Sequence, residues 1–460
     1  MRRILTLFTL ILSLNLITVQ PAFASPLADV TSDQATISFP ISITFKATIS
    51  SSSNITSVIL EYGTDQLTCG EVVAKAFPQF TPRKTVNVEW TWDMRQSTSL
   101  PPGATIWWRW RYTDETGKET ISNEKTITWL DDEHNWKTIS KGNLNLHSYG
   151  IGNSDAQNLL NAGLAGLDRN EKDAGLKTNE PIDIYIYPSY DDLREAILFE
   201  SSWTGGRAFP DHNIVILGVS GGDDEWDKDT VVHELTHVLV GHLTFSCLGF
   251  VPQWLNEGLA VYSEGPLDPQ FNEPLQQAIQ ENSLLSVRSI SNSFTELPER
   301  VNLPYGQSYS LVNFLIETYG QDKMNSLLMD LRDGTPVDDA LMQTYGFNIE
   351  GLEDAWRASI GAAPRSTSTE SIAQPTPTYV PTIVPISGAP IANQLVTPTP
   401  IPTSSFGEPS NNVSTTSPGR PPLALTLILL GMCCIFLILI GVVVLGFIIR
   451  AQNRKGGNNA

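Results

Sequence analysis

The segment His233-Glu234-Leu235-Thr236-His237 sets two imidazoles four residues apart, and Trp254-Leu255-Asn256-Glu257-Gly258-Leu259-Ala260 sets a carboxylate twenty residues beyond the second of them. Residues four apart on a helix share a face, so His233 and His237 reach one metal ion while Glu234, one step round, faces the water bound to it. Catalytic zinc keeps three protein ligands and leaves a fourth position open. Glu257 supplies the third ligand from a second helix, and the expected centre is one Zn2+ per catalytic domain. Val231, Val232, Leu235, Val238, Leu239 and Val240 make the surrounding helix a buried one, with Asp227 and Asp229 as acidic start signals and Gly241 near its end. The competing reading, two satisfied core histidines beside a solvated glutamate, is disfavoured because buried imidazoles and carboxylates without partners are costly.

A second class of zinc site is excluded by counting. Metzincins require a glycine three residues and a third histidine six residues after the second ligand, and those positions hold Val240 and Leu243. His242 is therefore read as a helix-end residue.

The two motifs together resemble the gluzincin clan of metallopeptidases, which contains thermolysin and the zinc aminopeptidases, and most closely its peptidase MA-like family. The resemblance spans roughly residues 134–360. It implies that His233, His237 and Glu257 are zinc ligands, that Glu234 is the general base, and that Asn256 supports a ligand. The stretch Pro304-Tyr305-Gly306-Gln307-Ser308-Tyr309 is similar to the aminopeptidase segment whose tyrosine stabilises the tetrahedral intermediate. That role falls to Tyr305, with Tyr309 as the alternative. The implied substrate is a peptide or protein. Two positions depart from the pattern. Where thermolysin-like enzymes carry an acid four residues after the glutamate ligand, this chain has Val261, so the histidine it would orient must be held differently. The Gly-x-Met-x-Asn motif that binds a substrate amine is also missing. In its place Gly205-Gly206-Arg207-Ala208-Phe209-Pro210 leads into Ile214-Val215-Ile216-Leu217-Gly218, readable as an edge strand that pairs with an extended peptide or as an ordinary sheet strand.

The elements that position these residues follow from periodicity. Residues 25–131 alternate polar and apolar, as in Ile41, Ile43, Phe45, Ala47 and Ile49 and again in Ile106, Trp108, Trp110 and Tyr112. Such period-two strands predict an immunoglobulin- or fibronectin-like β-sandwich, its tryptophans in the core. A cell-surface or cell-wall ligand is a possible partner of this domain. Residues 132–361 change character, with helices expected over 158–167 and 190–198 and strands over 182–188 and 214–219 before the zinc helix. The expected fold class is α+β: a gluzincin-like peptidase domain of strands and helices, then a helical half, with the cleft between them.

The flanks indicate export. Residues 1–24 read as a signal peptide, with Arg2 and Arg3, an apolar stretch and Ala22-Phe23-Ala24. Residues 362–422 form a stalk rich in Pro, Thr and Ser. Residues 423–449 carry no charge over 27 positions and read as one transmembrane helix into the lipid bilayer, and residues 450–460, with Arg450, Arg454 and Lys455, as a cytoplasmic tail. All 49 acidic residues but only 24 of the 29 basic ones lie between signal and span, a net charge of −25 that excludes nucleic acid as a partner. Cys69 and Cys247 are the two cysteines outside the span, a candidate disulfide between domains.

The reading is a zinc metallopeptidase outside a prokaryotic cell membrane, anchored by one C-terminal helix. The rival is a catalytically inactive surface binding or adhesion protein on a zinc-peptidase-like scaffold.

Overall fold

Two sheets, back to back with a helical layer, account for the site's placement. The computed structural model describes residues 29–96, 99–200, 204–220, 225–292 and 302–365, all within one compact unit. The expected signal peptide, the stalk after residue 365, the transmembrane helix and the cytoplasmic tail lie outside the described residues. Among the described residues no helix is long and apolar enough to cross a membrane.

The first sheet has seven strands: β1 (Asp29–Ser38), β2 (Ser42–Thr64), β3 (Ala74–Ala76), β4 (Arg83–Asp93), β5 (Thr105–Asp114), β6 (Glu119–Ile121) and β7 (Lys125–Thr128). All pairings are antiparallel, and β2 organises them: its first half lies between β1 and β4, and after a register irregularity between Ser50 and Ile55 its second half pairs with β5 and β3. The alternation read from the sequence is the burial pattern: Ile43, Phe45, Ala47 and Ile49 point inward, as do Trp108, Trp110 and Tyr112 of β5. Trp129, also fully buried, packs its ring 5.3 Å from Phe39.

The second sheet contains β8 (Lys137–Lys141) and β9 (Leu144–Ser148), then after helix α1 (Asn153–Ala174) strand β10 (Ile182–Tyr187), and after α2 (Tyr190–Ala196) strands β11 (Gly206–Phe209) and β12 (Ile214–Gly218). The order is β11-β12-β10-β9-β8, parallel through β12, β10 and β9 and antiparallel at both edges. Strands β10 and β12 are buried almost without a break because both faces are covered. Ile182, Ile184 and Ile186 face the helices, whereas Tyr185 and Tyr187 join the core of the first sheet, so one hydrophobic core runs across the two sheets. Cys69, in the loop after β2, is bonded to Cys247, their Cα atoms 5.6 Å apart.

The helical remainder comprises α3 (Glu225–Thr244), α4 (Gln253–Glu264), α5 (Pro269–Glu281), α6 (Asn302–Tyr319), α7 (Gln321–Arg332), α8 (Val337–Tyr345) and α9 (Ile349–Ser359). Helix α3 is the keystone: Val231, Leu235 and Val238 pack on the sheet and α1, while Leu239 and Val240 join the helical core. Helices buried on two sides carry apolar residues round most of their circumference, and this one does.

Candidate metal centre and cleft

Helix α3 presents His233 and His237 on one face, and α4 crosses it so that Glu257 meets both. The Nε2 atoms of His233 and His237 lie 3.3 and 3.6 Å from Glu257 Oε2. Among the described residues these three are the one group of His, Cys, Asp and Glu able to hold a metal ion, with ligand atoms all within 4.8 Å of one another. Glu257 Oε1 accepts a hydrogen bond from Gln253 at 2.6 Å, but its buried Oε2 has no hydrogen-bond partner. Leaving a buried carboxylate oxygen unpaired costs roughly 1–3 kcal/mol or more, so an orphan aimed at two imidazoles calls for a cation. The spacing suits one: a tetrahedron with bonds of about 2.1 Å has edges of about 3.4 Å.

The far side of each imidazole is also committed. His233 Nδ1 meets Glu264 Oε1 at 2.6 Å, and His237 Nδ1 meets Asn256 Oδ1 at 3.1 Å. Each contact places the ring proton on Nδ1 and leaves the Nε2 lone pair for a metal. Asn256 sits where the motif implies. Glu264 does not follow from it: the acid missing at Val261, now seen in the apolar core, is replaced two helical turns after Glu257 on the same face. The signal available in the sequence was that seven-residue spacing.

Electrostatics agree with a site built for positive charge. Burial resists ionisation of Glu257, yet His237 and His233 overcome it and hold the carboxyl well below the usual range. Burial alone would lower both histidines, but Glu257 and Glu264 raise His233 and Glu257 raises His237. A divalent ion satisfies the same field while the imidazoles stay neutral. Glu234 is buried beside them, and burial pushes its carboxyl upward, partly countered by the two histidines.

Close approaches set this geometry. Gly258, inside α4, lies against the backbone oxygen of Ser308 on α6, a position no side chain could share. That contact brings Tyr305 to the metal face, its ring centre 6.2 Å from that of His233 and 5.6 Å from that of Phe271. Burial, with Glu257 and Glu234 nearby, keeps its hydroxyl protonated and therefore a donor. Tyr309 packs on Tyr262 at 6.0 Å and is absent from the cleft wall. Behind the centre, Asn170 of α1 donates to Thr236 at 2.9 Å and accepts from Ser263 at 2.9 Å. This fully buried trio locks α1, α3 and α4 together, because sliding any helix strands a polar atom. His242 contacts Thr178 at 3.1 Å and Asn213, consistent with a helix-end residue. Trp254 is fully buried packing.

The centre opens into a cleft of about 640 Å³. Its walls include His233, Glu234, His237, Glu257, Glu264 and Tyr305, together with Gly206, Arg207 and Ala208 of the edge strand β11. The segment Gly205 to Pro210 read from the sequence thus forms one rim of the cleft, while Ile214–Gly218 is interior.

Residues 162–362 match the family model of the Peptidase MA superfamily. Among solved structures, an M1 zinc metallopeptidase from Deinococcus radiodurans is similar at 11% identity, over 70% of this chain and 90% of that one, with a TM-score of 0.34. Legionella pneumophila aminopeptidase A, in complex with aspartic acid, is similar at 11% identity, over 69% of this chain and 47% of that one, with a TM-score of 0.32. No curated protein matches the chain. The matched span, residues 162–362, holds every group of the candidate centre.

Proposed function

We propose that the chain is a zinc metallopeptidase that hydrolyses peptide bonds. The observation that carries this reading is the orphaned Glu257 oxygen facing two imidazole nitrogens whose rings are fixed from behind. His233, His237 and Glu257 would hold the ion, and the chemistry it supplies when bound is activation of a water and polarisation of a carbonyl. Glu234 takes the water's proton and passes it to the leaving amine, and its raised affinity for protons suits both steps. Tyr305 donates a hydrogen bond to the developing oxyanion. The exposed edge of β11 pairs with an extended substrate, main chain to main chain. Glu264 and Asn256 keep the imidazoles aimed.

The test is hydrolysis of a mixed peptide library by the purified full-length chain, its loss on chelation and its return with zinc. Absence of cleavage, or cleavage indifferent to the chelator, sinks the reading. Tyr305→Phe is expected to keep zinc but to lower kcat by roughly ten- to a thousandfold, the range for one oxyanion donor. If Tyr309→Phe does this instead, the donor is reassigned.

Two further proposals concern the rest of the chain. The seven-stranded sheet is read as folding over at the Ser50–Ile55 irregularity into a β-sandwich, supported by a core that draws on both halves of β2. An experimental structure with the strands in a single layer refutes it. The exported, membrane-anchored topology rests on the signal, the uncharged span and the basic tail. Protease added to intact cells is then expected to release a fragment of roughly forty kilodaltons, and full protection with no barrier to the protease reverses the topology.

A further inference from the structure

We propose that Asp229 recognises a lysine or arginine side chain on the C-terminal side of the scissile bond, so that the substrates are polypeptides basic at that place. The proposal rests on the peptidase reading of the cleft and adds a direction and a charge to it.

The direction comes from how β11 runs along α3. Gly206 lies against Thr230 and Glu234, where an added Cβ would come within 3.0 Å of either side chain, while Pro210, just past the strand, packs on Gly241. Strand and helix therefore point the same way. A peptide paired antiparallel to β11, the more stable pairing, enters with its N-terminal part by Pro210, Gly241, Thr244 and Val251. Beyond the metal centre its C-terminal part runs towards the first turns of α3, where Trp226 and Asp229 form the wall.

The charge comes from what remains unpaired. Asp229 stands one turn before His233 and on its face. The other carboxylates lining the cleft are engaged: Glu200 with Arg207, Glu264 with His233, Glu257 between the histidines, and Glu234 at the reacting water's place. Asp229 has no hydrogen-bond or ion-pair partner among the described residues. Burial, then Glu264 and Glu225, push its carboxyl up to about 6, and Arg169, bonded to the backbone oxygen of Ser263, pulls only weakly the other way. A carboxylate in this position gains by acquiring a cation, and Trp226, half-exposed at the same wall, offers an aromatic face to the alkyl part of a long basic side chain.

The test uses the full-length, zinc-loaded chain. Cleavage sites in a mixed peptide library are mapped by mass spectrometry, and a matched pair with Lys or Leu after the scissile bond is compared on wild type, Asp229→Asn and Asp229→Arg. Basic residues are expected to be enriched at the first or second position after the bond. Asp229→Asn should reduce the Lys-to-Leu ratio of kcat/KM about tenfold, the effect of one charged hydrogen bond, and Asp229→Arg should turn the preference towards Glu. Binding of the same peptides to Glu234→Gln, with and without Asp229→Asn, reads the Lys-to-Leu ratio without turnover, and zinc content reports that each variant has folded. A ratio that Asp229→Asn leaves unmoved, or basic residues enriched before the bond, overturns the proposal. A wild type that cleaves nothing while Lys is still bound through Asp229 refutes the peptidase reading alone, and the loss of both refutes both.

Discussion

Glu234→Gln is expected to bind one zinc per chain, to melt no lower than the parent, and to lose turnover by roughly a hundred- to ten-thousandfold, the usual worth of a positioned base. The substitution preserves shape and touches no proposed ligand. In the metal-free chain its effect on folding can be signed: burial raises the carboxyl of Glu234, so its ionised form opposes folding at every pH above the unfolded carboxyl's titration. Glutamine removes that cost at neutral pH. Metal analysis, thermal unfolding and single-turnover hydrolysis decide the matter together. A variant that hydrolyses peptides as fast as the parent disqualifies Glu234 as the base. If parent and variant are equally inert over a broad library, the rival reading of a binding protein on a peptidase-like scaffold takes the ground.

The second large effect concerns the third ligand. Glu257→Ala should lose more than about a hundredfold in zinc affinity, since it removes one of three ligands and loss of a mere supporting contact already costs ten- to a hundredfold. Glu264→Gln belongs in that smaller class, because it alters the partner of His233 Nδ1 and leaves all three proposed ligands in place. Competition with a chromogenic chelator measures both. Equal losses would make Glu264 as essential as a ligand, and an unchanged affinity for Glu257→Ala would show that the ion sits elsewhere. Neither result depends on knowing the substrate.

Much of the centre was legible because helical periodicity is a property of the local backbone. His233 and His237 share a face in any α-helix, and the buried apolar run around them could only be an interior one. Alternation in the strands was legible for the same reason: Phe45 and Trp110 are inward by period two, whichever strand they pair with. The pairings themselves were not. That Ile43 faces Trp92 while Val58 faces Tyr112 depends on where β2 breaks its register, a matter of long-range hydrogen bonding.

What only the tertiary structure decided is how separate helices converge. Glu264 is an unremarked acid until α4 crosses α3 and brings it to His233, and Asn170 is an ordinary helix residue until Thr236 and Ser263 close on it. The same holds for Tyr305 over Tyr309, four residues apart with one turned to the cleft, and for Cys69 with Cys247, separated by 178 positions and joined by the docking of the first sheet. The sequence by itself determined the chemistry available, because residue types and short spacings carry it. Only packing decided which of those groups meet, because burial, close approach and the pairing of buried polar atoms are settled between elements rather than within them.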